Sequence, residues 1–352
     1  MANRIQALRR VLAREHLSGF VVSDLANIRY LCGYSGSNGL LLVRPKDAWF
    51  FTDFRYKEQM RREVRGARGE MRKHDLYAEF PVERLRGLKR VGIEQASLTL
   101  ARFRMLKRQV KRTRLVPVKD LVLGLRRTKD ASEVKLIERA QHFTDAAFKA
   151  ILPKVRPGVT ERELAALIEF GFRREGEIAF PSIVASGPNA ALPHAEPSDR
   201  RLRKGDVITF DIGCRFAGYC SDMTRTVFLG KPDPDMAQVY HIVHEAQRRA
   251  LALVRPGASC ADVDKAARDY ITDCGYGKYF GHGTGHGVGL AVHELPNLFK
   301  EGKQQLAPGD VVTVEPGIYL PGLGGVRIED MVLVTKSGSR NLTRSPKRLL
   351  VL

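Results

Sequence analysis

Long apolar runs are missing from this sequence. Nothing in its 352 residues approaches the ~18 consecutive apolar residues of a membrane-spanning helix. The opening stretch MANRIQALRRVLAREHL is amphipathic and basic, without the continuous apolar centre of a signal peptide. A cytoplasmic location and no membrane partner are therefore expected. Cysteine is scarce. Cys32, Cys214, Cys220, Cys260 and Cys274 are odd in number and show no CxxC spacing, which argues for reduced, mostly buried thiols. Acidic residues are outnumbered, and the net charge is +20. Of that excess, +15 lies in residues 1–125, and residues 102–119 (RFRMLKRQVKRTRLVPVK) hold eight basic residues and no acid. Phe103, Leu106 and Val110 recur there at helical spacing, so the stretch reads as a helix with one apolar stripe and a solvated basic face. No nucleic-acid-binding motif accompanies it, and nucleic acid is not an expected partner.

What the chain does have is length enough for two domains. The first ~125 residues alternate helix and strand signals. Ile5–His16 has helical periodicity, SGFVVSD is a short apolar strand, and LLLVRPKDAWFFTD reads as two strands joined through Pro45–Lys46–Asp47. This is an α/β pattern. Near Asp130–Ala131–Ser132 a long amphipathic helix begins, with Glu133 and Glu138 enriching its start. The boundary is placed at about residue 124, giving domains 1–124 and 125–352. The second part repeats itself. VRPGVTEREL (155–164) and VRPGASCADV (254–263) are offset by 99, as are Gly176 and Gly275, and LPHAEP around His194 parallels AVHELP around His293. Thr160 with Glu163, and Ser259 with Asp262, have capping-box spacing or something close to it. The two glycines sit where a helix end wants a residue tolerant of positive φ. Two duplicated helix-plus-sheet halves facing one another would enclose a cleft.

Each half ends in strands that bear two carboxylates. DVITFDIG and YCSDMTRTVFL carry Asp211 and Asp222. A hairpin centred on Phe216–Ala217 would set these two acids directly opposite one another, Cβ atoms ~5 Å apart. DVVTVEPGIY and VRIEDMVLV carry Glu315 and Glu329, with Thr313 on the face of Glu315 and Arg327 on that of Glu329. Like charges held so close repel unless a cation lies between them. The fifth element is YFGHGTGHGVGLAVHELP. The glycines that punctuate residues 281–289 make a helix improbable around His282 and His286, so this is not the helical HExxH arrangement. Glycine lets the backbone approach a crowded site. Four carboxylates and one imidazole suit Mn²⁺, Co²⁺, Fe²⁺ or Mg²⁺ on hardness grounds, with Zn²⁺ less apt. They are too many for one small cation and enough for two that share bridging oxygens and activate a water between them.

Asp211, a ten-residue gap, Asp222, then HGTGHGVG, EPG and RIED together resemble the creatinase/methionine-aminopeptidase superfamily of metallopeptidases, and more narrowly its Xaa-Pro peptidases, aminopeptidase P and prolidase. FPSIVASGPNAALPHAEP, the closing LTRSPKRLLVL, and NIRYLCGYSGSNG with WFFTDFRY extend the likeness over nearly the whole chain. The resemblance implies an α/β creatinase-like N-terminal domain followed by an α+β "pita-bread" catalytic domain with an internal pseudo-twofold repeat. It implies two divalent ions held by Asp211, Asp222, His286, Glu315 and Glu329, with Mn²⁺ the expected metal. It further implies Glu315 as general base for attack by a metal-bridged hydroxide, His194 and His293 at the scissile carbonyl or proline side, His282 beside the substrate pocket, and Arg327 orienting the ligands. Short proline-containing peptides are the implied substrates, and a homodimer the implied assembly. An Xaa-Pro aminopeptidase is the first expectation and an Xaa-Pro dipeptidase the alternative. A binding module using the basic N-terminal domain is a more distant one.

Overall fold

The computed structural model describes residues 2–352 and separates into two compact units after Arg126. The expected boundary near residue 124 falls inside the last helix of the first unit.

The first unit contains α1 (Ala2–Arg14), β1 (Gly19–Val22), α2 (Leu25–Cys32), β2 (Leu40–Val43), β3 (Ala48–Asp53), α3 (Lys57–Glu63), β4 (Arg68–Arg72), β5 (Arg90–Glu94), α4 (Leu100–Gln109), β6 (Arg114–Val118) and α5 (Leu121–Arg126). Its six strands form one sheet in the order β4-β3-β2-β1-β5-β6. The β1–β2 and β2–β3 pairs are antiparallel, and the rest are parallel. GFVV and LLLV lack polar alternation, and every residue of β1 and β2 is buried, as in central strands covered on both faces. The charged edges β4 and β6 discourage pairing with further strands. The single basic helix expected over 102–119 is instead a helix and a strand. Val110 turns to extended backbone as the cap of α4, and the chain re-enters the sheet as β6. A Val-rich run with a proline suits an edge strand better than a helix interior.

The second unit begins with α6 (Ala131–Ile151) and α7 (Glu161–Glu175), each started by a reciprocal capping box, Asp130 with Glu133 and Thr160 with Glu163. Such a cap contributes about 1 kcal/mol. There follow β7 (Glu177–Ile178), β8 (Ile183–Ser186), β9 (Val207–Ile212), β10 (Cys214–Phe216), β11 (Tyr219–Cys220) and β12 (Met223–Phe228). The next half has α8 (Pro234–Leu253), α9 (Cys260–Asp273), β13 (Gly285–Gly287), β14 (Glu294–Leu298), β15 (Val311–Val314), β16 (Gly317–Leu320), β17 (Gly324–Arg327), β18 (Asp330–Val334) and β19 (Ser339–Asn341). Ser259 caps α9 through the amide of Ala261, without the reciprocal bond from Asp262.

Each half packs a helix pair on its strands. Phe148, Leu164, Ile168 and Phe172 meet Phe210, Ile212 and Val227 in the first. Val243, Ala246, Val263 and Ala267 meet Val312, Val326 and Val332 in the second. The paired glycines differ, however. Gly275 has φ +87°, as expected, but Gly176 has φ −170°. Gly176 answers to space instead, because a Cβ there would lie 2.4 Å from the Arg215 carbonyl oxygen. All five cysteines are free, four of them buried.

Register decides which carboxylates meet. In the first half the hairpin centres on Ala217–Gly218, one residue later than expected. Both have positive φ, 46° and 88°, the backbone of a two-residue type I′ turn. The shift sets Asp211 against Thr224, so Asp222 is not directly opposite Asp211. It sits two positions from Thr224, a diagonal neighbour on the same alternation. In the second half Val314 pairs with Asp330 and Gly317 with Arg327. The same register carried across the break between those pairs sets Glu315 against Glu329.

Candidate metal centre

The two halves are tied together where the acids lie. Glu329 donates its amide to the carbonyl of Thr224 at 3.1 Å. The Thr226 hydroxyl donates to the carbonyl of Arg327 at 3.0 Å and accepts from its amide at 3.2 Å. This seam faces a cavity of about 390 Å³. All nine residues singled out in the sequence line it: His194, Asp211, Asp222, His282, His286, His293, Glu315, Arg327 and Glu329.

The donor atoms of Asp222, His286 and Glu329 lie within 4.8 Å of one another. His286 Nε2 stands 3.6 Å from Asp222 Oδ2 and 3.2 Å from Glu315 Oε1. The other imidazole nitrogen, Nδ1, lies 3.1 Å from the Gly287 carbonyl. A carbonyl only accepts, so Nδ1 carries a proton, which leaves Nε2, the nitrogen facing the acids, as the one a cation would take in place of its proton. Glycines make this approach feasible. A Cβ at Gly285 would fall 2.0 Å from the Thr313 carbonyl oxygen, and one at Gly287 would fall 2.2 Å from that of Leu295.

Polar neighbours orient each acid. Thr224 donates to Glu329 Oε2 at 2.7 Å and accepts from Arg327 Nε at 3.0 Å. Thr313 donates to Glu315 Oε1 at 3.0 Å and accepts from the His286 amide at 3.0 Å. Arg327 makes a 2.7 Å ion pair with Asp211 Oδ2 and donates to the Tyr319 hydroxyl at 2.7 Å. His282 Nδ1 lies 2.7 Å from the Gly283 carbonyl, so His282 Nε2 accepts from the Tyr319 hydroxyl at 2.9 Å. His282 is thus held neutral, in line with a pKa lowered chiefly by burial. His194 and His293 are more exposed, and the His293 ring stands against His286 with centroids 4.3 Å apart. Phe180, Pro181, Ile183 and Val292 add apolar lining to the cavity.

The electrostatics test whether a cation fits. At an effective dielectric of ~20, two like charges 4 Å apart repel by about 4 kcal/mol. Burial, followed by the neighbouring carboxylates, raises Asp222 and Glu329 well above the usual carboxylate range. Burial raises Asp211 too, against the opposing charge of Arg327. Glu315 resists burial through its hydrogen bond to His286 and is pulled down to about 2, while Glu315 overcomes burial to raise His286. One arginine and one imidazole cannot neutralise four acids of which Asp222 and Glu329 are buried and Asp211 and Glu315 nearly so. Asp211 Oδ1 and Glu329 Oε1 are also buried with no hydrogen-bond partner, a costly state for an oxygen unless a ligand takes its lone pairs. Hard oxygen donors with a single imidazole fit divalent cations.

Sequence reasoning did not find Thr224 or Tyr319. Thr224 had one available signal, its place two residues beyond Asp222 on the same strand alternation. Tyr319 had none, because its partners come from residues 8 and 37 positions away.

Comparison with known proteins identifies the family. Residues 135–336 match the model of metallopeptidase family M24, and residues 4–128 match that of the creatinase/prolidase N-terminal domain. The chain is 35% identical to an Xaa-Pro dipeptidase of Pyrococcus horikoshii over 99% of both chains. It superposes on the structure of an Xaa-Pro dipeptidase from Bacillus anthracis with a TM-score of 0.96, at 40% identity and 99% coverage of both. An X-Pro aminopeptidase from Thermotoga maritima follows at TM-score 0.89 and 34% identity, covering 98% of this chain and 100% of that one. The fold is a creatinase-type N-terminal domain with a pita-bread catalytic domain, and the chain is a peptidase belonging to metallopeptidase family M24.

Proposed function

We propose that the protein is a divalent-metal-dependent dipeptidase that cleaves the bond before proline in Xaa-Pro. The observation that carries the reading is the convergence of Asp222, His286 and Glu329, joined by Asp211 and Glu315, in one cavity that His194, His282 and His293 also line. These five residues are the proposed ligands of two cations, with Mn²⁺ the proposed metal. Bound there, divalent ions lower the pKa of a water and offset negative charge on a carbonyl oxygen.

The chain's own residues do the rest. Arg327 fixes Asp211, Thr224 fixes Glu329, and Thr313 fixes Glu315, so few side-chain rotations remain to be frozen at the moment of reaction. Glu315 is the proposed base that takes the proton of the attacking water. His194 and His293 are the proposed donors to the scissile carbonyl as its charge grows. Proline has no N–H and a fixed φ, so its recognition falls to shape, and the apolar lining of the cavity supplies it.

The sequence alone placed an aminopeptidase first. Likeness to the Bacillus anthracis and Pyrococcus horikoshii dipeptidases moves that reading to second. The Thermotoga maritima structure keeps it as the competitor. Ala-Pro and Ala-Pro-Ala, offered separately with Mn²⁺, decide between them. The dipeptidase reading expects rapid hydrolysis of Ala-Pro and little of the tripeptide. Efficient cleavage of Ala-Pro-Ala at its first bond would reverse the assignment.

A further inference from the structure

The link from β13 to β14 carries Val292 and His293 into the cavity. Where it enters β14, Glu294 forms a buried ion pair with Lys129, and neither residue lines the cavity. Lys129 Nζ lies 3.3 Å from Glu294 Oε2, and both side chains are 1% exposed. Lys129 is anchored from its own side. Its amide donates to the Gly309 carbonyl at 2.8 Å, and its Nζ donates to the Arg127 carbonyl at 2.9 Å. Glu294 turns back toward the link. Its Oε1 accepts from the Ala291 amide at 2.9 Å. The same carboxylate rests on Gly289, where a Cβ would fall 2.5 Å from Oε2. The Gly289 amide in turn donates to the Ala291 carbonyl at 3.0 Å. Glu294 pairs in register with Gly287, one residue beyond His286.

A flexible link would let His293 swing. Here a charged side chain at the end of the link reaches back to close residues 289–291, and its counter-charge is a lysine fixed to a distant segment. We propose that Lys129 and Glu294 are positioning residues that hold His293 against His286 and aim it into the cavity. The inference rests on the reading that His293 meets the substrate. A buried carboxylate would serve stability equally well anywhere. The specific points are that this one bonds only two residues before His293, and that Gly289 leaves room for nothing larger.

The test is a set of variants assayed on Ala-Pro with Mn²⁺. Glu294→Gln keeps the shape, removes the charge and takes from Lys129 its ion-pair partner. It is expected to lower kcat tenfold or more while retaining bound metal. In the His293→Ala background, the same substitution is expected to change the residual kcat less than twofold. An equal tenfold loss in both backgrounds would assign the pair to general stability and overturn the proposal. If His293→Ala alone leaves kcat unchanged, the reading of His293 is wrong. If His293→Ala is slow but Glu294→Gln is as fast as the parent, only the positioning role is wrong. Should a single variant not fold, Lys129→Met with Glu294→Gln buries no lone charge and carries the same comparison. Failure of that double variant to fold would also overturn the proposal.

Discussion

At the scale of single residues, the centre divides into atoms that face the cavity and atoms that hold them. The sequence displayed the first kind. Asp211 is an acid within a strand that should be apolar, Asp222, Glu315 and Glu329 adjoin the ends of such strands, and His286 sits among glycines that a helix would not tolerate. The second kind was mostly hidden. A threonine in a strand is ordinary, and only its partners reveal Thr224 as the link between Glu329 and Arg327. Replacing Thr224 by valine keeps the shape and removes both bonds. Loss of such an orienting group typically costs 10–100-fold in metal affinity. Calorimetric titration of the chelated variant with Mn²⁺ should therefore show affinity weaker by that factor, with the melting temperature of the metal-free form little changed. Parent-like affinity would mean that Thr224 does not orient Glu329.

At the scale of elements, turn chemistry governs the site more than strand propensity does. Moving the hairpin centre from Phe216–Ala217 to Ala217–Gly218 changes the partner of Asp211 from Asp222 to Thr224. The sequence contained the cue, since a type I′ turn prefers glycine at its second position. Alternation survived the shift because a move of one in the centre moves the register by two. The basic stretch 102–119 shows the opposite limit. Helical spacing at Phe103, Leu106 and Val110 continues past the residue where the helix stops, and only sheet pairing reveals β6. Glycines in β13 are the element-scale requirement for bringing His286 to the acids. Gly285→Ala would push a methyl into the Thr313 carbonyl. Overpacking of that kind costs about 1–3 kcal/mol. A lowered denaturant midpoint together with weaker metal binding is expected, and an unchanged midpoint would mean that β13 can shift aside.

At the scale of the whole molecule, the duplicated helix-and-strand halves were legible from three matches at an offset of 99. Their meeting along β12, β17 and β18 was not, because nothing in either half specifies the other's seam. That seam concentrates four acids, two of them buried, around one arginine and one imidazole, an arrangement that calls for cations. The most direct measurement is a titration of chelated protein with Mn²⁺, following Ala-Pro hydrolysis and bound metal together. No activity is expected in the chelated protein, followed by a rise that saturates at two equivalents per chain and is absent in Asp222→Ala. Full hydrolysis by metal-free protein, or an Asp222→Ala variant as active as the parent, would contradict this reading.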